Sequence, residues 1–316
     1  MAVERIAGGL LAVSFVVWAA LPSTALAGQI VGITFGRTLY NVDSLTGNTT
    51  LLNNFCSSCG PYVGASGSPD ANTILIYSIV NLHEINVENV FQDTPLGGIT
   101  RNPVDLAFDR DTNTVFDTNG SALFSVHCPS PPFICTETQV GPAFPTNHMQ
   151  ALGWVAGAGL YGVSDNFLYF INDLTGVTTP IGATGLTDPT KPITDIAYDV
   201  GTGRLIASAG CSKFDPFGPQ ATGPCDESHQ GSLYLIDRST GHATLLNGNA
   251  PMIVGLAEVV PEPGSALLLA GSVGAFLLRS WWRQTARWRR SGWRPFTTVS
   301  QQLLHRMPAG ALAHRS

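Results

Sequence analysis

Between residues 28 and 259, apolar and polar positions alternate with a period of two, in short runs separated by Gly, Pro, Asn, Asp and Ser. That period predicts β-strands, and no helical periodicity runs through the same stretch. One run recurs three times nearly intact: Leu39-Tyr40-Asn41-Val42-Asp43-Ser44-Leu45-Thr46-Gly47-Asn48-Thr49-Thr50-Leu51-Leu52, then Leu168-Tyr169-Phe170-Ile171-Asn172-Asp173-Leu174-Thr175-Gly176-Val177-Thr178-Thr179-Pro180-Ile181, then Leu233-Tyr234-Leu235-Ile236-Asp237-Arg238-Ser239-Thr240-Gly241-His242-Ala243-Thr244-Leu245-Leu246. Each copy reads as a β-hairpin. The alternating residues form the strands, and the Asp-x-x-Thr-Gly link makes the turn, with glycine where φ must be positive. Worn copies stand at Leu82-His83-Glu84-Ile85-Asn86 and Ala122-Leu123-Phe124-Ser125-Val126.

A second unit precedes the hairpin, at Val104-Asp105-Leu106-Ala107-Phe108-Asp109, at Ile193-Thr194-Asp195-Ile196-Ala197-Tyr198-Asp199 and, more loosely, at Met149-Gln150-Ala151-Leu152-Gly153-Trp154. The latter two lead into outgoing strands at Arg204-Leu205-Ile206-Ala207 and Leu160-Tyr161-Gly162-Val163. Four short strands per repeat of roughly 35 to 55 residues are the signature of a β-propeller blade. The small Gly and Ala positions suit inner strands crowded around a channel. Ile253-Val254-Gly255-Leu256-Ala257-Glu258 matches the first-strand unit but has no hairpin after it, while Ile30-Val31-Gly32-Ile33-Thr34-Phe35 leads to a hairpin with no first strand before it. Together they complete one blade and remove two open sheet edges. The expected fold is therefore all-β, a propeller of five blades: residues 252–259 with 28–54, then 60–97, 102–141, 149–183 and 192–247.

Charge changes the picture at the ends. The body from Gly28 to Glu258 holds 7 Lys and Arg against 20 Asp and Glu, a net of −13, while eight of the chain's 16 basic residues lie at or after Arg279. An acidic body argues against nucleic acid and against docking on anionic lipid. The N-terminus carries Arg5, an apolar run over Ile6–Ala20, a break at Leu21-Pro22-Ser23-Thr24, and Ala25-Leu26-Ala27. This is the pattern of a signal peptide over residues 1–27, cut by signal peptidase between Ala27 and Gly28. At the other end, Val260-Pro261-Glu262-Pro263-Gly264-Ser265 precedes an uncharged run from Ala266 to Leu278, then Arg279, Trp281, Trp282, Arg283, Arg287, Arg289, Arg290 and Arg294. The prolines fix an extended segment. The apolar run, lengthened by interfacial Trp and Arg, would act as a transmembrane helix with its basic end in the cytoplasm.

That order of motif, span and basic cluster over residues 260–294 resembles the PEP-CTERM sorting signal of Gram-negative bacteria. The resemblance implies an exosortase that recognises Val260, Pro261, Glu262 and Pro263. It implies a protein held first in the inner membrane, then placed at the cell surface or in the extracellular matrix. Residues 295–316 extend past the usual end of that signal and are expected to be disordered. The body resembles secreted bacterial propellers with Leu-Tyr-x-Ile-Asp-x-x-Thr-Gly repeats, a likeness that speaks for a fold and for no particular function.

Six cysteines fall in three sequence-local pairs, Cys56 with Cys59, Cys128 with Cys135 and Cys211 with Cys225, each in a Pro/Gly/Ser-rich loop. In an oxidising compartment they are expected to form disulfide staples. The candidate chemistry is thin. Asp109-Arg110-Asp111-Thr112-Asn113 has the oxygen spacing that opens a calcium loop, but Thr114 and Gly120 stand where such a loop needs Gly and Glu, which favours a turn. Asp105, Asp109, Asp195 and Asp199 recur at equivalent positions, where they either ring the channel around a cation or cap turns. His83, His127, His148, His229, His242, His305 and His314 belong to no catalytic motif. Trp154, with Tyr161, Tyr169, Tyr198 and Tyr234, offers a stacking surface for sugar or simply core. Gly210–Gln230 is the longest insertion and a candidate recognition loop. The expected function is a non-enzymatic surface or matrix protein that needs no cofactor, calcium aside, and binds polysaccharide, a cation or protein. The alternative is an extracellular hydrolase or lyase on the same scaffold.

Overall fold

The computed structural model describes residues 29–260, apart from 55–61, 71, 79–80, 89–92, 100, 102, 129–134, 147, 189–190 and 211–230. The described strands form five four-stranded antiparallel sheets. Blade one contains β1 (Gln29–Thr34), β2 (Thr38–Val42) and β3 (Thr49–Asn54). Blade two is β4 (Tyr62–Gly67), β5 (Thr73–Ser78), β6 (Asn81–Asn86) and β7 (Asp93–Gly98). Blade three is β8 (Asp105–Asp109), β9 (Thr114–Thr118), β10 (Leu123–His127) and β11 (Thr136–Val140). Blade four is β12 (Met149–Val155), β13 (Gly159–Ser164), β14 (Phe167–Ile171) and β15 (Thr178–Ala183). Blade five is β16 (Ile193–Asp199), β17 (Arg204–Ala209), β18 (Gly231–Ile236) and β19 (Ala243–Ala250). The last strand, β20 (Ile253–Val259), joins blade one, whose order is β20-β1-β2-β3. The five-bladed ring and its shared first blade follow the sequence pattern.

The inner strands β20, β4, β8, β12 and β16 contact one another in turn around the axis. Five hydrophobic clusters lie one at each blade interface, such as Val31, Ile33 and Leu39 against Ile74, Ile76 and Ile85, or Ala151 and Val163 against Ile196 and Leu205. Each sheet thus buries both faces, so β5 and β8 are buried at every position, whereas the outer strand β3 is exposed along most of its length. The inner strands are small at the axis because their backbones nearly touch. A Cβ on Gly153 would sit 2.8 Å from Ile196 O, and one on Gly255 would sit 2.8 Å from Ala65 Cβ.

The recurring Thr-Gly has two causes. Gly47, Gly176 and Gly241 have φ of 73°, 67° and 79°. Their turns also dock on the outer strand of the neighbouring blade, so an added Cβ would overlap Leu246, the Val140 carbonyl or the Gly182 carbonyl. The first residue of each turn acts as an Asx cap. Asp43 Oδ1 accepts from Leu45 N and Thr46 N, and Asn172 Oδ1 accepts from Leu174 N and Thr175 N.

Cys128 and Cys135 form a disulfide with Cα atoms 4.1 Å apart, bridging the end of β10 to the start of β11. Cys56, Cys59, Cys211 and Cys225 lie outside the described residues, as do Ala25, Ala27, Gly28, Pro261, Glu262, Pro263 and the expected span at 266–278.

Candidate functional site at the channel axis and mouth

The four recurring aspartates divide into two pairs with different work. Asp109 and Asp199 cap turns: Asp109 Oδ1 accepts from Asp111 N at 2.7 Å and Asp199 Oδ1 from Gly201 N at 2.8 Å. Thr112 and Thr202 hydroxyls donate to their other oxygens. Both Asp109 oxygens, the first of the suggested calcium loop, are thus engaged by the turn itself. Ser44 of blade one donates to Asp199, and Arg204 donates to Ser44 O at 3.2 Å, so this turn also ties blade five to blade one.

Asp105 and Asp195 sit at the axis with no exposed surface. Inner strands leave backbone donors unpaired toward the channel, and a buried N–H needs an acceptor. Asp105 Oδ2 accepts from Leu152 N at 2.7 Å, linking blade three to blade four, and Asp195 Oδ2 accepts from Leu256 N at 2.5 Å, linking blade five to blade one. Ser66 does the same for Phe108 N at 2.7 Å. In the same motif position the other blades carry Gly64, Ala151 and Gly255, and a Cβ on Gly64 would lie 2.5 Å from Asp105 Oδ1. The two carboxyls lie close enough to each other to interact. Asp105 Oδ1 has no N–H or O–H to accept from unless one acid is protonated. Burial pushes both carboxyls well above the usual carboxylate range, and the Asp105 charge pushes Asp195 further. One proton shared by two acids is the arrangement that satisfies both.

At one end of the channel a small pocket of about 30 Å³ opens, walled by inner-strand residues of all five blades. Gly67, Phe108, Trp154, Tyr198 and Glu258 occupy one motif position three residues beyond the axial ring, and Arg110 lies over them. The Arg110 guanidinium donates to Glu258 O at 3.2 Å and stands 3.6 Å from Glu258 Oε2. Gly67 makes this reach feasible, because a Cβ there would be 3.0 Å from the guanidinium. Glu258 Oε1 accepts from Val200 N at 3.0 Å. Burial lowers the Arg110 pKa and raises that of Glu258, each partly offset by the other's charge. Trp154 Nε1 is buried and has no acceptor among the described residues.

Of the aromatic set, Trp154 and Tyr198 share this pocket, with the Arg238 guanidinium 5.0 Å from the Tyr198 ring centroid. All five also pack against the interface clusters, Tyr161, Tyr198 and Tyr234 between blades four and five and Trp154 and Tyr169 between blades three and four. Phe108, Arg110 and Glu258 were not read as site residues. Their common place at the ends of the first-strand units was the signal that marks them.

Two further clusters lie away from the mouth. On the blade-two face toward blade one, Ser78 Oγ is 3.0 Å from His83 Nε2 and His83 Nδ1 is 2.8 Å from Asp93 Oδ1, a Ser–His–Asp order dispersed over three strands. Ser78 is 4% exposed and its Oγ also lies 3.1 Å from Asn81 O. Between blades two and three, Tyr77 donates to Asp117 at 2.8 Å, and Glu137 adjoins Asp117. Burial raises Asp117 to about 8 against the pull of the Tyr77 hydrogen bond, with Glu137 pushing the same way as burial. Arg101 covers this pair from the half-exposed side, 3.8 Å from Glu137 and 4.2 Å from the Phe124 ring centroid. Of the histidines, His148 makes an exposed contact of 3.2 Å with Asp165, His127 and His242 are exposed, and His229, His305 and His314 lie outside the described residues. Among the described residues no group of three or more His, Cys, Asp or Glu is placed to hold a metal ion.

No protein-family model matches the chain. No curated protein matches it. Solved structures with a similar course of chain include one from a nidogen/laminin complex, at 9% identity and a TM-score of 0.47, covering 73% of this chain and 98% of that one. A structural-genomics protein of unknown function from Bacteroides thetaiotaomicron is 15% identical with a TM-score of 0.40, covering 70% of this chain and 50% of its own.

Proposed function

We propose that this chain is an exported, non-enzymatic surface or matrix protein whose propeller binds its ligand at the channel mouth. The observation that carries the binding reading is the pocket at the channel mouth, built by all five blades and lined by Phe108, Arg110, Trp154, Tyr198 and Glu258. Aromatic walls beside a few placed polar groups in a concave site are the ordinary makings of a ligand pocket. The reading of export rests on Ala25, Ala27 and Gly28 at one end and on Val260, Pro261, Glu262 and Pro263 at the other. The partners of that route are signal peptidase, the membrane and an exosortase.

Two experiments test this reading. Fractionation of an exosortase-bearing host should yield released protein with ends at or outside residues 28 and 260, read by intact mass. Full-length chain retained in the membrane overturns the processing. In the 28–259 fragment Trp154 is the only tryptophan, so a screen of glycans, Ca²⁺ and proteins followed by its emission reports on the mouth directly. A ligand that binds without changing that emission places the site elsewhere.

The hydrolase reading has one observation in its favour, the Ser78–His83–Asp93 order. It ranks second because the Ser78 hydroxyl is buried and has another acceptor in reach. A fluorophosphonate probe that labels Ser78, with loss of labelling in His83→Gln, would promote it. An unlabelled Ser78 in folded protein removes it.

A further inference from the structure

Asn-Gly occurs twice in this chain, at Asn119-Gly120 and Asn247-Gly248. At this dipeptide an asparagine side chain cyclises readily, because the glycine has no Cβ and its backbone nitrogen can close on the preceding side-chain carbonyl. The structure treats the two copies differently. Gly120 is buried and its N–H donates to Thr118 Oγ1 at 2.9 Å, while Asn119 Oδ1 accepts from Ser121 N at 3.0 Å and Ala122 N at 3.1 Å. The attacking nitrogen is held there. Asn247 and Gly248 lie instead at a bulge of the outer strand β19. Asn247 pairs with Leu233 and Ala250 with Gly231, so Gly248 and Asn249 together stand opposite Ser232. Gly248 and Asn249 are exposed, and a Cβ on Gly248 would meet only Leu245 Cδ2, at 3.7 Å. Asn247 Oδ1 accepts from Asn249 N at 2.9 Å, an Asx turn that folds the side-chain carbonyl over the Gly248 peptide and polarises its carbon. The same side chain has structural work: Asn247 Nδ2 donates to Gly47 O at 2.9 Å, tying blade five to the Thr-Gly turn of blade one.

We propose that Asn247 is a spontaneous deamidation site, and that its conversion releases this tie between blades five and one. Gly248 N loses its proton to hydroxide and attacks Asn247 Cγ. The Cγ–Nδ2 bond breaks and ammonia leaves. Water then opens the cyclic imide at Cγ, giving aspartate, or at the Asn247 main-chain carbonyl, giving isoaspartate. One water is consumed and one ammonia released, with no change of oxidation state. Aspartate sets a carboxylate, which only accepts, against the Gly47 carbonyl, which also only accepts. Isoaspartate routes the main chain through Cγ and adds a carbon to β19. Either product takes the body's net charge from −13 to −14. The site stands apart from the channel mouth and does not depend on what binds there.

The test follows the full chain, purified in detergent, through storage in mildly alkaline buffer. Peptide mapping should find a gain of one mass unit at Asn247, part of it as isoaspartate, before any at Asn119. Gly248→Ala should slow the conversion, because a Cβ hinders the attack, and should leave the melting temperature unchanged, because the added Cβ has room. Asn247→Asp should melt about 2–4 °C below wild type, the shift expected for loss of one hydrogen bond in a domain of this size. Should that variant fail to fold, ion exchange separates the deamidated wild-type fraction, which should show the same loss. An Asn247 that stays intact, or an Asn119 converted as fast, overturns the site. Conversion with an unchanged melting temperature overturns the release of the tie.

Discussion

Gln29 and Val259 are Cα partners at one end of the antiparallel pair β1–β20. Six partner pairs run along this ladder, from Gln29–Val259 to Thr34–Ile253, with one irregularity between Ile33 and Thr34. The first described residue of the ring is thus held by almost the last. Val260 O also accepts from Asn72 N at 3.2 Å, so the chain is fastened to blade two up to the residue before Pro261. Both expected processing points adjoin this corner, and a cut further inward on either side would remove ladder pairs from blade one.

Truncation tests that closure. A fragment of residues 28–250 lacks β20, exposes the inner edge of β1 and leaves Asp195 without its Leu256 partner. Exposed edges template aggregation, and blades bury apolar faces only against neighbours. Residues 28–250 should be insoluble or strongly destabilised, while 28–260 should run as a soluble monomer by size exclusion. A stable, monomeric 28–250 fragment with an unchanged melting temperature would show that β20 does not close the ring.

Two glycines with nearly the same φ separate backbone strain from packing. Gly157 has φ +68° with nothing within 4 Å of an added Cβ, whereas Gly176 has φ +67° with the Val140 carbonyl in the way. Gly157→Ala should cost about 1–2 kcal/mol from the left-handed conformation alone. Gly176→Ala should cost at least about 2 kcal/mol more, because blade three must move away. Denaturant melts of the two variants measure the difference, and equal losses would refute docking of the Thr-Gly turn.

Stability should fall as the pH rises through the neutral range. Asp117 is raised from 3.8 to about 8 in the folded protein. Between those values the native state holds a proton that the unfolded chain releases, so the contribution is complete below 3.8 and is lost as the pH climbs to about 8. Asp105 and Asp195 are shifted in the same direction and add to the slope. Asp117→Asn keeps an acceptor for Tyr77 and offers Glu137 a donor without titrating. It should raise the melting temperature at pH 9 by about 4 °C or more, with little change at pH 4. A wild-type melting temperature that rises from pH 5 to 8 would contradict the buried-proton account.

The Cys128–Cys135 bridge closes a short loop, with a sequence separation of 7. Loop-closure entropy of that size contributes on the order of 2–3 kcal/mol. Reduction, or Cys128→Ser with Cys135→Ser, should lower the melting temperature while the ring stays folded by circular dichroism. Peptide mapping of the unreduced protein tests the other two expected pairs, and a bridge from Cys59 to Cys211 would disprove local pairing.

The period-two alternation, the Thr-Gly turns and the complementary half-units at residues 30–35 and 253–258 were enough to define a five-bladed ring. These features are local: a strand's alternation and a turn's need for positive φ are determined by a few neighbouring residues. The role of each aspartate was not local. Asp105 and Asp109 stand four residues apart in one strand, yet one faces a second acid across the axis and the other caps its own turn. Arg110 and Glu258 are 148 residues apart, and nothing in either one's neighbourhood announces the other. Ser78, His83 and Asp93 belong to no motif because they meet diagonally across three strands. The sequence alone determined the blades and their number. Tertiary structure decided which side chains share the axis, the mouth and each interface, because those meetings depend on how five sheets close around one channel.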